Sequence, residues 1–120
     1  MTVNDLKEAL VQKLGDHYYY AQAPTAAAYP YRVAHVGTGI DQISHEQLSL
    51  EIDYWGPKLS DLRDMIDADR GNGDPISPTG LDRMGVGTGA WLTFDQTTSV
   101  EDADKEIKHI RASYYVILYR

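Results

Sequence analysis

The sequence contains no cysteine, and this absence excludes disulfide bonds, thiolate metal sites and a cysteine nucleophile. It also contains no apolar run near the roughly 20 residues that a membrane-spanning helix needs, so we expect no membrane association. The start of the chain has neither a basic segment nor an apolar core, and we therefore expect no secretion signal. The lack of cysteine is also consistent with a reducing cytosol.

Basic residues are scarce as well: 11 Lys and Arg stand against 18 Asp and Glu, which gives a net charge of −7. The bases are scattered singly, whereas proteins that bind nucleic acid through its phosphates carry a basic patch. The sequence therefore argues against DNA binding as the main function, although DNA could still pass nearby. The length of 120 residues and the 42% hydrophobic content predict one folded domain that spans residues 1–120.

Two helices are predicted. Leucine recurs every fourth residue through residues 4–14, where Asn4 is the expected N-cap and Gly15 the expected stop. A second helix is expected from Pro57 onward, because proline suits the first helical position. The apolar stripe of this second helix consists of Leu59, Leu62 and Ile66, with Met65 beside them.

Five segments are rich in aromatic or β-branched residues, or alternate between apolar and polar residues, and both patterns are typical of strands. They cover residues 18–22, 31–36, 47–55, 90–96 and 110–120. A turn at Gly37-Thr38-Gly39 is expected to end the second of them. The sequence therefore predicts an α+β fold, with a largely antiparallel sheet of about five strands packed with two helices.

The last strand is apolar on both of its faces. Alternate residues from Ile110 to Leu118 form one apolar face, and the opposite face carries Tyr115, Ile117 and Tyr119. Two helices are too few to cover both faces of the sheet, so we expect a partner subunit to cover the second one.

A long loop is expected at about residues 70–89, which hold six glycines and two prolines. Its few apolar residues offer little anchorage, so we expect mobility in a free subunit and order against a neighbour. Within this loop we assign Asp82, Arg83 and Met84 to subunit or partner contact. A ligand pocket near residues 71–89 is the corresponding alternative if the protein is a small binding domain or enzyme.

None of the motifs associated with catalysis or ligand binding is complete in this sequence. The glycines of residues 85–89 lack a following Lys-Ser/Thr pair, and a strand follows them where a phosphate loop has a helix. A calcium-loop interpretation of residues 67–78 fails because Pro78 occupies the final acidic position. The four histidines have no metal-ligand spacing: His17, His35, His45 and His109. We therefore predict no catalytic residues, no metal and no cofactor.

The order of the segments resembles the tail terminator proteins of long, non-contractile-tailed phages, also called minor tail or tail completion proteins. The resemblance covers nearly the whole chain: an amphipathic helix, a strand, "QAPTAAAYPYRVAHV", "LEIDYW", the helix "PKLSDLRDMID", a glycine-rich connection and two further strands. The "AP…YPY" and "IDYW" pieces are its most characteristic parts. The long segment "GNGDPISPTGLDRMGVGTG" departs from the family pattern.

The resemblance implies a structural virion protein, assembled in the host cytoplasm and located in the neck of the tail. Such a protein forms a homo-oligomeric, typically hexameric ring that binds the tail tube protein and the head connector, with DNA only as passing cargo. The acids expected to line its channel are Asp67, Asp69 and Asp74, together with Asp82. Two alternatives remain open: a head–tail connector or head-closure protein, and a small acidic α+β ligand-binding or enzymatic domain.

Overall fold

The fold was analysed in a computed structural model, in which the described residues are 3–15, 18–20, 28–41, 45–74, 76–86, 89–100 and 106–119. The chain forms two helices and a strongly curled antiparallel sheet, so the predicted α+β fold is confirmed. In chain order the elements are α1 (Val3–Leu14), β1 (Tyr19–Tyr20), β2 (Tyr31–Asp41), β3 (His45–Gly56), α2 (Leu59–Arg70), β4 (Gly85–Val86), β5 (Ala90–Val100) and β6 (Lys108–Tyr119).

The sheet has the strand order β1-β2-β3-β6-β5-β4. Strands β2 to β6 form an antiparallel ladder that includes the two-residue β4, while the two-residue β1 adds to β2 in parallel. The ladder is long because β3 and β6 pair over their whole lengths, from His45 opposite Tyr119 to Gly56 opposite Lys108. These two strands therefore form the centre of the sheet.

Both helices pack on the same face of this sheet. The leucines of α1 at 6, 10 and 14 and the α2 residues Leu62 and Ile66 are buried in one cluster with Leu50, Ile52 and Val116. The alternation predicted for the last strand is confirmed, since every second residue from Ile110 to Leu118 lies in this core. No helix among the described residues is long and apolar enough to cross a membrane.

The helix starts differ from those expected. Helix α1 begins at Val3, so Asn4 lies inside its first turn and does not precede it, whereas Gly15 follows the helix with φ 74° as expected. Helix α2 begins at Leu59, so Pro57 lies outside it. Lys58 occupies the N-cap position without a side-chain hydrogen bond.

The expected turn at Gly37-Thr38-Gly39 is wrong. Strand β2 runs on to Asp41, and its register with β3 shifts between Gly37 and Ile40. A bulge of this kind absorbs extra residues without ending a strand, and glycine is suited to it. Strand β5 likewise continues beyond Gln96 to Val100. Residues 21–27, which carry part of the "AP…YPY" piece, lie outside the described residues.

The segment after α2 folds back onto the end of that helix. The backbone N–H of Leu81 donates to Asp69 O at 2.8 Å, and that of Asp82 donates to Arg70 O at 3.0 Å. A side chain at Gly71, which has φ 77°, would collide with the backbone of Gly80, so this approach requires glycine.

Contrary to expectation, the segment is anchored in the core. Leu81 and Val86 are both buried there, although Ile76 is 92% exposed. The mobility of the segment in a free subunit stays a prediction.

Candidate functional site

The most distinctive surface is the face of the sheet opposite the helices, which we call the outer face. Side chains alternate between the two faces of a strand, so the outer face receives the residues of β2, β3, β5 and β6 that are not in the core. Its two ends differ in chemistry. At one end, the polar cluster comprises His35, Glu51, Asp53, His109 and Arg111. At the other end, the aromatic patch comprises Trp91, Tyr115, Ile117 and Tyr119.

The polar cluster is centred on the buried carboxylate of Asp53 on β3. Its Oδ1 lies 2.8 Å from His109 Nε2 and 2.8 Å from Arg111 Nε, both on β6. Its Oδ2 lies 3.2 Å from His35 Nε2 on β2. Arg111 also approaches Glu51, with Nη1 3.6 Å from Oε2. A single carboxylate therefore joins three neighbouring strands.

The ionised form of Asp53 is stabilised by this arrangement. Burial alone would raise the pKa of its carboxyl group, but hydrogen bonds and charge from Arg111 and His109 outweigh burial and hold the pKa below its ordinary value. The carboxylate is thus an acceptor at neutral pH, and its acceptor sites are used by groups of the same chain.

Stacked rings extend the polar cluster along the outer face. The His109 imidazole stacks on the indole of Trp55, with ring centroids 3.7 Å apart. Trp55 in turn stacks with Tyr31 at 6.4 Å, and Tyr31 with Tyr29 at 5.2 Å. Each ring covers part of the next, which leaves less aromatic surface in water.

The aromatic patch lies on the neighbouring strands β5 and β6. Trp91 on β5 lies opposite Ile117 on β6. Tyr115 and Tyr119 are 42% and 58% exposed, and Ile117 between them is half-buried. Because both helices pack on the other face, none of the described helices covers this patch. Sequence analysis assigned Tyr115, Ile117 and Tyr119 to this face, and the structure places them together on it.

The three predicted contact residues of the 70–89 segment differ in how far they are buried. The Asp82 carboxylate is buried, where its Oδ1 accepts the Phe94 backbone N–H at 2.9 Å and its Oδ2 lies 3.5 Å from Arg70 Nε. Met84 packs partly into the core. Only Arg83 is exposed, with φ 60°. Asp82 therefore stabilises the fold and is not an exposed contact residue.

The expectation that Asp69 is an unneutralised channel acid does not fit its surroundings. Arg32 clamps it from β2, with Nε 2.6 Å from Oδ2 and Nη2 3.2 Å from Oδ1, and the Tyr54 hydroxyl donates to Oδ2 at 2.8 Å. Burial raises the pKa of the Tyr54 hydroxyl, and the charge of Asp69 raises it further, so Tyr54 remains a donor. In contrast, Asp67 and Asp74 are exposed.

A cleft of about 460 Å³ lies where the ends of α1 and α2 meet the 70–89 segment. Its charged lining groups are Lys13 and the Arg32–Asp69 pair, and Tyr18, Thr79 and Met84 also line it. This is the region in which sequence analysis placed the pocket of a small binding domain. The charges of Arg32 and Asp69 compensate each other, so among the described lining residues Lys13 supplies the uncompensated charge.

A second, smaller groove of about 270 Å³ separates α2 from the last half of β5. Its lining consists of Arg63, Ile66, Asp67, Thr97, Ser99 and Ile110. We call it the α2–β5 groove. Among the described residues, no group of three or more histidine or acidic side chains is placed to hold a metal ion.

Sequence analysis missed the polar cluster and the α2–β5 groove. The alternation in β3 did place Glu51 and Asp53 together on a polar face, but their partners are distant in the chain, with His109 56 residues after Asp53. No family model matches this sequence, and no curated protein aligns with it significantly.

Proposed function

We propose that this protein is a structural subunit of a phage tail: a ring that caps the completed tail tube, ends its polymerisation and joins the tail to the head connector. The observation that supports a ring subunit most is the aromatic patch. The phage assignment itself rests on the resemblance of the segment order and of the "IDYW" piece to tail terminators. The ring would lie in the neck of the virion after assembly in the host cytoplasm.

The aromatic patch has the composition of a subunit interface. Tyrosine and tryptophan are enriched in interface cores because they bring a large apolar area and a polar tip at low entropic cost. Here Trp91 on β5 lies opposite Ile117 on β6, and Tyr115 and Tyr119 flank Ile117 on the same face. A contact between this patch and a different surface of the next copy is heterologous, and heterologous contacts close into rings when the rotation between copies allows it.

Fewer acids can line a channel than the sequence suggested. We propose that acids on the ring wall keep passing DNA mobile, since like charge prevents phosphate binding. Asp69 and Asp82 are occupied within the subunit, and Asp67 lines the α2–β5 groove. Asp74 is exposed and is the clearest remaining candidate. An Asp74→Lys ring is expected to slow DNA ejection at low salt, and an unchanged ejection rate would contradict this role.

The test uses the tail tube protein encoded in the same genome. Tubes assembled with the purified chain should stop growing, and electron microscopy should show a ring at one end of each tube. The Ile117→Asp chain, tested in parallel as a folded protein, should leave tubes uncapped. A wild-type chain that neither binds tubes nor limits their length would contradict the proposal.

A head-closure protein is the neighbouring alternative, and it would bind the head connector without limiting tube growth. The same assay therefore separates the two: a ring found on connectors and never on tubes favours head closure.

A small ligand-binding domain is the second candidate, and the 460 Å³ cleft with Lys13 at its rim favours it. Thermal stabilisation of the wild-type chain by small carboxylates, lost in Lys13→Ala, would support that candidate. Absence of any such shift would leave the cleft as a surface feature of the ring subunit.

A further inference from the structure

The last half of β5 is an open strand edge. Near the start of β5, the outward N–H groups are used: Leu92 donates to Met84 O at 2.9 Å, and Phe94 donates to the Asp82 carboxylate at 2.9 Å. Beyond Phe94, no described residue hydrogen-bonds to the outward side of the strand, and residues 95–99 are all exposed. Among the residues that the structure describes, this part of the edge therefore has no backbone partner.

The direction of those groups follows from the register. Backbone groups of a strand point inward and outward alternately, and Phe94 points outward. The register with β6 shifts between Phe94 and Gln96, so the extra residue moves the alternation by one position. Thr97 and Ser99 consequently point their N–H and C=O groups outward. Their side chains face the α2–β5 groove, which both residues line.

The groove supplies side-chain pockets beside this edge. The side chains of Ile66 and Ile110 line it between two charged residues of α2, Arg63 and Asp67. Neither charge forms an ion pair with another described residue. Helix α2 ends with the Arg70 guanidinium 3.9 Å from the centroid of the Phe94 ring, so the helix runs opposite to β5. Arg63 therefore lies toward Ser99 and Asp67 toward Thr97.

Edges like this are usually protected in native proteins by lysine, proline or inward charges. The β5 stretch 96–100 reads Gln-Thr-Thr-Ser-Val and has none of these. Its threonines and valine favour extended structure. The bulge at Asp95 is the one feature there that weakens pairing, and it lies before the open stretch.

We infer that the edge of β5 at Thr97–Ser99 binds an extended segment of another protein, which adds antiparallel to β5 and places two side chains in the α2–β5 groove. Main-chain hydrogen bonds provide the affinity in such strand addition, and alternate side chains provide the selectivity. The two groove side chains lie two residues apart, opposite Ser99 and Thr97. Charge complementarity to Arg63 and Asp67 selects an acid first and a base second along the added strand. This inference does not rest on the ring proposal.

The probe is a blocked, fluorescently labelled seven-residue peptide, Thr-Val-Glu-Val-Lys-Val-Thr, titrated against the whole chain and followed by anisotropy. Saturable binding is expected. A peptide with the Glu and Lys exchanged should bind about tenfold more weakly, because two attractive surface pairs become repulsive. A peptide methylated at the Glu and Lys backbone nitrogens keeps every side chain but loses both donors to β5, so it should not bind detectably.

A charge-swapped protein provides the matched control. The double variant Arg63→Glu with Asp67→Lys keeps both charges and places a favourable acid–base pair one helical turn apart, so α2 remains stable. This variant should prefer the exchanged peptide by about the same tenfold factor. A reversed preference cannot arise from unfolding.

Three results would overturn the inference. One is equal binding of the parent and methylated peptides, which would show that the backbone edge is not used. Another is an unchanged preference in the charge-swapped protein. The last is failure of every peptide to bind while the charge swap alters the mass of the free protein, which would make the edge a contact between copies of this chain.

Discussion

The two ends of the outer face carry aromatic residues in different surroundings. Each end holds one of the two tryptophans of the chain, Trp55 in line with the polar cluster and Trp91 in the aromatic patch. Trp55 is stacked on His109, whose imidazole contacts the Asp53 carboxylate. In the patch, by contrast, Tyr115 and Tyr119 remain largely exposed.

This difference is the basis for assigning different roles to the two ends. The buried carboxylate of the polar cluster is satisfied within the chain, so that end can face water at no further cost. Exposed aromatic rings grouped on one surface are characteristic of a contact site. Their burial is favourable because it removes from water the apolar area that the single chain leaves exposed. We therefore propose that the polar cluster stabilises the fold and that the aromatic patch mediates assembly.

The largest expected effect is loss of assembly on placing a charge in the aromatic patch. Ile117→Asp would bury an unpaired carboxylate at the contact, so we expect a folded chain that no longer forms rings. Val11→Asp is the matched control, because Val11 is an exposed apolar residue of α1, 44% accessible. Light scattering measures the mass of each variant, and circular dichroism shows whether it is folded. If Ile117→Asp unfolds while Val11→Asp does not, the patch belongs to the core of the single chain.

The next effect concerns stability at the polar cluster. Asp53→Ala leaves Arg111 and His109 without their shared acceptor, and we expect a loss of about 2 kcal/mol in the free energy of unfolding. Glu51→Ala removes only a half-exposed partner 3.6 Å from Arg111, so its loss should stay within about 0.5 kcal/mol. Urea denaturation measures both. Equal losses would show that Asp53 is not the centre of the cluster.

A pH dependence follows from the lowered pKa of Asp53. Its contribution to stability is complete above the ordinary carboxyl pKa of 3.8 and is lost as the pH falls through the lower folded value, because the unfolded chain then binds the proton first. The difference in unfolding free energy between wild type and Asp53→Ala should therefore narrow below about pH 4. Urea denaturation at pH 7 and at pH 3 tests this, and a constant difference would be inconsistent with it.

The smallest effects separate the two tryptophans. Trp55→Leu removes the stack on His109 and should lower stability by about 1 kcal/mol without changing subunit mass. Trp91→Leu should leave stability nearly unchanged and weaken assembly about tenfold. Thermal melts and concentration-dependent light scattering give the two readings for each variant. Equal changes in stability and in assembly for the two variants would show that the two ends of the outer face do not differ in role.

Local patterns in the sequence predicted the fold well for physical reasons. The leucine spacing of α1 and the alternation of β6 each depend on residues a few positions apart. The turn expected at Gly37-Thr38-Gly39 was wrong because glycine suits a bulge as well as a turn, and only pairing with β3 decides between them.

The site was predicted in part. Tyr115, Ile117 and Tyr119 follow from alternation alone, so their common face was predictable. Asp69 was assigned to a channel because its partner Arg32 lies 37 residues earlier, on a strand whose position the sequence does not reveal. Long-range ion pairs leave no periodic signal, and for the same reason the polar cluster was not foreseen.

The central claim, that a second copy covers the aromatic patch while the polar cluster stays in solvent, is tested most directly by cysteine labelling. The natural chain has no cysteine, so Tyr115→Cys and Glu51→Cys each introduce a single reactive position, one at each end of the outer face. Both variants are labelled with a maleimide before and after assembly on tail tubes. We predict that assembly protects the cysteine at position 115 and leaves the one at position 51 reactive; equal reactivity of the two in assembled rings would contradict the account.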